Sequence, residues 1–179
     1  MEPISIQPWG PEHSPEQLTS LLHRAYATLA AQGWNFTAAN QSVEVTRQRI
    51  AQGQTWVAQR AGEWVGTVQV RGPKPADENY LLDPAPALYT QAGTAILSQL
   101  AVHPDCRGQG LAERLMDAAE AWAKAQGFQR VALDTALPAQ ALRARYQRRG
   151  YVEQGQLQWT GKTYASVLMC KALNDKEAA

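Results

Sequence analysis

An apolar run that leads through a glycine-containing turn into a helix constrains the fold of this chain most. Residues 94–102 favour a buried strand, and Gly108 and Gly110 follow just before a helical pattern that begins at Leu111. The first turn of a helix leaves backbone N–H groups without partners, and the helix dipole adds partial positive charge there. Because glycine has no side chain, an anion can approach this backbone closely. The pattern predicts a site for a phosphate or pyrophosphate.

Two common phosphate motifs do not fit this segment. No Lys-Ser/Thr pair follows the glycines, so it is not a Walker P-loop. The three-glycine dinucleotide fingerprint and its alternating strand-helix pattern are also absent. An ordinary tight turn into a helix remains the alternative that the residues alone leave open.

Composition narrows the class of protein. The chain has 179 residues and a formal net charge of +1, so we expect one domain without the basic surface that nucleic acid or an anionic membrane requires. The two cysteines match neither a metal-ligand spacing nor a disulfide framework, and we expect no metal. With neither a leader pattern nor a long apolar run, the sequence predicts a cytoplasmic protein.

The order of predicted elements indicates an α+β fold. Ser14-Pro15-Glu16-Gln17 marks a helix start that Gly33 closes, and a shorter helix is predicted over 45–51. Strands are predicted at 55–58 and 63–70, with a turn at Ala61-Gly62 between them. A long loop is predicted at 72–93, and two more helices at Leu111 to Gly127 and 139–149. Four more strands are predicted, at 94–102, at 131–133 and in a hairpin near 157–159 and 165–169.

Two motifs carry a resemblance to a known family. Arg107-Gly108-Gln109-Gly110-Leu111-Ala112 fits the Gln/Arg-x-x-Gly-x-Gly/Ala motif of the GNAT N-acetyltransferase superfamily. Tyr146-Gln147-Arg148-Arg149-Gly150-Tyr151 resembles that family's Tyr-x-x-x-Gly-Phe/Tyr motif. The resemblance covers roughly residues 94–170 and implies a GNAT-like fold. Such a fold has a mixed, mostly antiparallel central sheet, a splay between its fourth and fifth strands, and flanking helices.

The resemblance also implies a site for acetyl-coenzyme A as co-substrate. The pyrophosphate would lie on Arg107, Gly108, Gln109, Gly110, Leu111 and Ala112. The pantetheine arm would pair with Leu100, Ala101 and Val102. Tyr146 would donate a proton to the departing thiolate, because a phenol with a pKa of about 10 is protonated at neutral pH. The chain departs from the family at Pro138-Ala139, where many members carry Asn; we expect Pro138 to open the last helix instead.

The base and the acceptor site are less defined by sequence. Candidates for the base are Gln99, Ser98, Asp134 and Glu63, whereas His103 fits a turn residue better. Apolar walls for the acceptor are expected from Tyr26, Trp34, Phe36, Tyr80, Tyr89 and Trp159. A cationic amine could be attracted by Asp77, Glu78 and Asp83. For any single one of these residues, a core contact or a position in a solvated loop is the favoured interpretation.

The predicted function is transfer of an acetyl group from acetyl-coenzyme A to a primary amine, by direct attack in a ternary complex. We expect a small-molecule acceptor and a single acyltransferase domain over residues 1–173, with a frayed tail at 174–179. A homodimer through the hairpin at 157–169 is possible. The alternatives are a non-catalytic acyl-coenzyme A sensor, a protein lysine or N-terminal acetyltransferase, and an interaction protein that reuses the fold.

Overall fold

The computed structural model describes residues 2–80 and 82–173. The predicted tail at 174–179 lies outside these residues. The strands are β1 Ser5–Pro8, β2 Gln54–Arg60, β3 Glu63–Arg71, β4 Asn79–Tyr80, β5 Asp83–Pro84, β6 Thr94–Val102, β7 Arg130–Ala136, β8 Val152–Leu157 and β9 Ser166–Ala172. The α-helices are α1 Pro15–Ala30, α2 Val43–Ala51, α3 Ala87–Thr90, α4 Leu111–Ala125 and α5 Gln140–Arg148, and 3₁₀ turns occupy Thr37–Ala39 and Pro104–Cys106. None of the described helices is long and apolar enough to cross a membrane.

Seven strands form the main sheet, in the order β1-β2-β3-β6-β7-β9-β8, and β4 pairs only with β5. The described pairing of β6 with β7 is parallel, and β1–β2, β2–β3, β7–β9 and β8–β9 pair antiparallel. The parallel register covers only three pairs, from Thr94 with Arg130 to Ile96 with Ala132. A register this short is what a splay between the fourth and fifth strands of the sheet requires. The predicted α+β class, with a mixed and mostly antiparallel sheet flanked by helices, is confirmed.

Contacts divide the chain into two compact units. The first combines the residues up to Arg71 with Leu97–Ala119, and the second combines Gly72–Ile96 with the residues from Glu120 onward. Strand β6 and helix α4 each contribute residues to both units. The units are described separately below.

Helix α1 organises the core of the first unit. Ser14 caps it, because its Oγ accepts from the backbone N–H of Gln17 at 3.2 Å, and Pro15 occupies the first turn. Its buried face packs with residues of β2, β3 and β6, in a cluster formed by Leu18, Leu21, Leu22, Ala25, Ala38, Val57, Trp64 and Ala101. Each fully buried leucine contributes about 1.5–3 kcal/mol relative to an exposed one. The first unit therefore provides a rigid support for the end of β6.

In the second unit, the predicted long loop at 72–93 contains regular structure. It includes β4, β5 and α3, and Tyr89 of α3 is fully buried beside Ile96 and Ala132. The backbone N–H of Lys74 donates to the carbonyl of Tyr89 at 2.8 Å. Sequence reasoning missed this because the four prolines here suggested an irregular segment, whereas Pro86 precedes a short helical turn.

The last hairpin differs from its prediction. Strand β8 ends at Leu157, where the strand predicted at 157–159 would begin, and β9 extends to Ala172. Trp159 lies in the connecting loop and is 3% exposed. Its indole N–H donates to Asp134 Oδ2 at 3.0 Å, so a polar contact holds it in the interior without strand pairing.

Candidate active site

The turn after β6 is fixed at both ends and open in the middle. At its start, the backbone N–H of His103 donates to the carbonyl of Val65 at 2.8 Å, and the side chain of Cys106 is fully buried. Gly108 and Gly110 follow with φ angles of 73° and 72°, which favour glycine. No described atom lies within 4 Å of where a β-carbon would stand on either glycine. The turn is therefore not filled by the protein's own side chains.

The backbone N–H groups of this turn are available to an anion. Within the part of the chain that the structure describes, no hydrogen-bond partner is found for the amides of Gly108, Gln109 and Gly110. Leu111 and Ala112 bury their side chains at 2% and 7% exposure, which leaves only their backbone for a ligand. An open, amide-lined turn at the start of α4 fits a diphosphate, as the anion-site prediction requires.

The side chain of Arg107 is hydrogen-bonded to helix α1. Its Nη2 donates to the carbonyl of Ala25 at 2.6 Å, and its Nη1 donates to Thr28 Oγ1 at 3.2 Å. The guanidinium thus fastens the turn to α1 within the first unit. Only a structure could show this, because the two partners lie about eighty residues earlier in the sequence.

Strand β6 is distorted beside the predicted pantetheine segment. Gln99 has a φ of 57°, which is unusual for a residue with a side chain and costs about 1–2 kcal/mol. Such strain is concentrated at functional sites. Tyr26 donates its hydroxyl to the carbonyl of Leu100 at 2.9 Å, Ala101 is buried, and Val102 is partly exposed. The distortion lies directly before Leu100, the first residue of the predicted pantetheine segment.

Tyr146 lies in the last turn of α5, in the second unit, and is 7% exposed. The helix ends in a Schellman motif. In this motif the N–H of Tyr151 donates to the carbonyl of Tyr146 at 3.0 Å, and the N–H of Gly150 donates to the carbonyl of Gln147 at 2.9 Å. Gly150 has the positive φ, 92°, that the motif requires. The Tyr-x-x-x-Gly-Tyr pattern is therefore a helix end that fixes the position of Tyr146.

The other end of α5 departs from its prediction. The helix begins at Gln140, with Ala139 as an N-cap that has no side-chain hydrogen bond. Pro138 therefore precedes the helix and does not occupy its first position. The N–H of Gln140 donates to the carbonyl of Pro138 at 2.9 Å. This hydrogen bond forms a tight turn ahead of the first helical turn, so Pro138 lies outside the helix.

A buried carboxylate stabilises the same helix end. Glu120 is 9% exposed and accepts from the hydroxyl of Tyr151 at 3.0 Å, from Lys171 at 2.6 Å and from Arg149 at 3.0 Å. Burial raises the pKa of Tyr151, and the charge of Glu120 raises it further. Because every oxygen of Glu120 is bonded, its burial is tolerated and the helix end is held rigidly.

Asp134 of β7 is the best oriented of the candidate bases. Its Oδ1 accepts from the hydroxyl of Tyr89 at 2.6 Å and its Oδ2 from Trp159 at 3.0 Å, and it remains partly exposed. Its charge also contributes, after burial, to the raised pKa of Tyr164. A carboxylate held by two buried aromatic side chains has one orientation.

The remaining candidates are less suited to act as the general base that accepts a proton from the amine. Ser98 donates to Gln69 Oε1 at 3.3 Å, and Glu63 is exposed at the β2–β3 turn. His103 accepts from the N–H of Asp105 at 3.3 Å through Nδ1, as a residue of the 3₁₀ turn does. The interpretation of His103 as a turn residue agrees with this geometry.

The residues predicted to line the acceptor site are found in both units. In the first unit, the ring centroids of Tyr26 and Phe36 lie 5.5 Å apart. Trp34, which precedes Phe36 in the sequence, is partly exposed. In the second unit, Tyr89 and Trp159 are buried around Asp134. The side chain of Tyr80 is outside the described part of the structure.

The acidic residues proposed to attract a cation are mostly committed to other partners. Asp83 accepts from the N–H and hydroxyl of Thr160 at 2.7 and 2.8 Å, and Glu78 pairs with the buried Lys74. Asp77 is exposed to solvent.

Comparison with known proteins identifies the class. The Acetyltransferase (GNAT) family matches residues 16–151, and the chain belongs to that family. It is an acyltransferase of the acetyl-coenzyme A-dependent class. No curated protein matches the sequence.

Solved structures share the fold at low sequence identity. The ribosomal-protein-S18-alanine N-acetyltransferase of Escherichia coli superposes with a TM-score of 0.71 at 15% identity, over 96% of this chain and 94% of that one. PaiA N-acetyltransferase from Thermoplasma acidophilum, in complex with coenzyme A, gives 0.71 at 14% over 95% and 99%. A GNAT acetyltransferase from Elizabethkingia anophelis with acetyl-coenzyme A bound gives 0.65 at 16% over 94% and 97%.

Proposed function

We propose that this protein transfers the acetyl group of acetyl-coenzyme A to a primary amine of a small-molecule acceptor, by direct attack in a ternary complex. The open turn at Gly108–Gly110 carries the proposal. Among the described residues, no partner is found for its amides at the start of the helix, and no side chain occupies it. Family membership and the fold support the donor.

In the proposed reaction, backbone groups of the protein bind and position acetyl-coenzyme A. Acetyl-coenzyme A, when bound, supplies a thioester whose carbonyl carbon accepts the amine. The amides of Gly108–Ala112 bind its diphosphate, and the backbone of Leu100–Val102 pairs with its pantetheine arm. Positioning of the two reactants supplies much of the rate enhancement. The backbone N–H at Leu100 stabilises the negative charge that develops on the carbonyl oxygen.

Two side chains move protons in this proposal. The C–N bond forms as the C–S bond breaks, so the amine must lose a proton and the sulfur must gain one. Tyr146 gives its hydroxyl proton to the sulfur. Asp134 accepts the proton of the amine, because it is the one carboxylate among the four base candidates that combines partial exposure with a fixed orientation.

Binding of coenzyme A is the first experiment. Calorimetry should detect binding of coenzyme A to the protein, and a saturating concentration of coenzyme A should raise the melting temperature of the protein. Gly108→Ala should weaken binding about tenfold, the equivalent of one lost charge-assisted hydrogen bond, because its β-carbon enters the space where the diphosphate sits. Gly62→Ala is the matched control: Gly62 also has a positive φ, 79°, and open surroundings, but lies in the β2–β3 turn.

Thiol release with a panel of amines tests the reaction itself. Release that depends on an added small amine supports the proposal. Binding of coenzyme A with no release for any amine would identify a sensor, and release only with peptide N-termini or lysines would identify a protein acetyltransferase. Absence of coenzyme A binding would refute the proposal entirely.

A further inference from the structure

Strand β6 is distorted at Gln99, immediately before the segment that the proposed reaction uses. Gln99 has a φ of 57°, in the left-handed region that residues with a β-carbon rarely adopt. A backbone in such a conformation persists only where the surrounding structure leaves it no alternative. We therefore looked for the contacts that fasten the residues on either side of Gln99, all of which lie in the first unit.

The residue before Gln99 is fastened to strand β3. The hydroxyl of Ser98 donates to Oε1 of Gln69 at 3.3 Å. Gln69 is 3% exposed, and its side-chain amide donates to the carbonyl of Arg49 in helix α2. Because the side chain of Gln69 is buried and hydrogen-bonded through both its oxygen and its nitrogen, Ser98 has a partner with a fixed position.

The residue after Gln99 is fastened to helix α1. The hydroxyl of Tyr26 donates to the carbonyl of Leu100 at 2.9 Å, within the normal range for such a bond. The ring of Tyr26 also contacts the ring of Phe36, with centroids 5.5 Å apart and planes inclined by 56°. A hydrogen bond at its tip and a ring contact along its side together fix the orientation of the phenol.

The part of α1 that carries Tyr26 is itself anchored. The guanidinium of Arg107 donates to the carbonyl of Ala25 at 2.6 Å and to Oγ1 of Thr28 at 3.2 Å, on either side of Tyr26 in the sequence. Helix α1 is thus hydrogen-bonded both to β6 and to the turn that follows it. Because the helix is held in this way, its tyrosine can keep the neighbouring strand from relaxing.

We propose that Tyr26 is a positioning residue, which keeps Gln99 in its left-handed conformation and so holds the Leu100 N–H in place for the reaction. The inference rests on the proposed function, in which that N–H stabilises the negative charge on the carbonyl oxygen of the thioester. The peptide that carries this N–H lies between the two fastened residues, Ser98 and Leu100. Tyr26 then has a role other than the apolar wall for the acceptor that the sequence suggested.

Tyr26→Phe tests the proposal, because it keeps the ring and removes only the hydroxyl. We expect kcat for thiol release to fall about tenfold, the upper range for the loss of one neutral hydrogen bond. The Kd of coenzyme A should change by less than about twofold, since the interaction at the Leu100 N–H is made in the transition state.

Thr19→Val is the matched control. Thr19 lies on the same helix, is 4% exposed, and its hydroxyl bonds to Oγ1 of Thr46 at 2.7 Å. The variant also removes a buried hydroxyl from α1, but one that bonds to α2 and not to β6. It should lower the free energy of unfolding and retain kcat, whereas an equal loss of kcat in Thr19→Val and Tyr26→Phe would overturn the proposal.

Gln99→Gly supplies the second half of the test, because glycine adopts a positive φ without strain. In a chain that already carries Gln99→Gly, Tyr26→Phe should lower kcat by about twofold at most, since the left-handed conformation no longer needs to be held. A loss of the same size with and without Gln99→Gly would overturn the proposal. So would a loss seen only as a higher KM for the amine, which would identify Tyr26 as an acceptor contact.

A measurement without turnover separates this inference from the proposed function. Backbone ¹³C chemical shifts should report a positive φ at Gln99 in the unmodified protein and an extended conformation in Tyr26→Phe. Equal shifts in the two proteins would overturn the inference at any level of activity. If the shifts change as expected but the unmodified protein releases no thiol with any amine, the proposed function fails while the hold of Tyr26 on Gln99 is upheld.

Discussion

The backbone N–H of Tyr151 donates to the carbonyl of Tyr146, and the two rings meet edge to face with their centroids 6.0 Å apart. Tyr146 is the third residue from the end of helix α5, and Tyr151 is the second residue after the helix C-cap. Side chains at these two positions are commonly in contact in a Schellman motif. The contact connects Tyr146 to the buried Glu120 through the Tyr151 hydroxyl. The proposed proton donor is thus fixed by both a backbone motif and a buried ion cluster.

Gly150→Ala should destabilise the protein by about 1–2 kcal/mol, because alanine in the left-handed region brings its β-carbon too close to the backbone. Urea unfolding measures the loss. Gly150→Asn is the comparison, since asparagine tolerates this conformation better and should lose less. Equal losses of unfolding free energy in the two variants would show that the left-handed backbone conformation of residue 150 does not cause the destabilisation.

Tyr146→Phe should lower kcat by about a hundredfold, the lower range for general acid catalysis, with the Kd of acetyl-coenzyme A unchanged. Steady-state kinetics measures kcat, and calorimetry measures the Kd of acetyl-coenzyme A. Tyr151→Phe keeps the neighbouring ring and should retain most of the turnover. A parallel loss of cofactor binding in Tyr146→Phe would mark this residue as structural.

Glu120→Gln should cost about 3 kcal/mol of folding free energy, the lower end for breaking a buried ion pair, because it leaves the partly buried Arg149 and Lys171 without their carboxylate. Chemical denaturation provides the measurement. The exposed pair of Glu16 with Arg47 supplies the contrast, and Glu16→Gln should have a far smaller effect. Similar losses at both positions would show that burial does not determine the cost.

The protein should lose stability as the pH rises above about 10, where tyrosines of the unfolded chain ionise. Burial raises the folded-state pKa of both Tyr151 and Tyr164, so their contribution is fully present below the unfolded pKa and declines as pH rises toward the folded value. Unfolding free energies measured from pH 8 to 11 give the slope. Tyr151→Phe should make it shallower, and an unchanged slope would contradict this assignment.

Local features were predictable because they depend on neighbouring residues. Ser14 and Pro15 predicted the start of α1, and the paired glycines predicted the turn before α4. The tyrosine-glycine-tyrosine spacing located the end of α5. In each case the hydrogen bonds join residues within a few positions of one another, so the sequence contains both partners side by side.

Long-range partners could be found only in the folded chain. The sequence did not show that the guanidinium of Arg107 donates to helix α1. It gave Asp134 as a candidate base, but not the two aromatic donors that orient its carboxylate.

The sequence by itself determined most of the elements, the glycine-containing turn before α4 and the family, since propensity, capping and backbone conformation act over a few residues. The tertiary structure decided which charges are paired, which hydroxyls stay without partners and where β6 departs from regular geometry. Those properties depend on contacts between segments distant in sequence, and burial determines their energies.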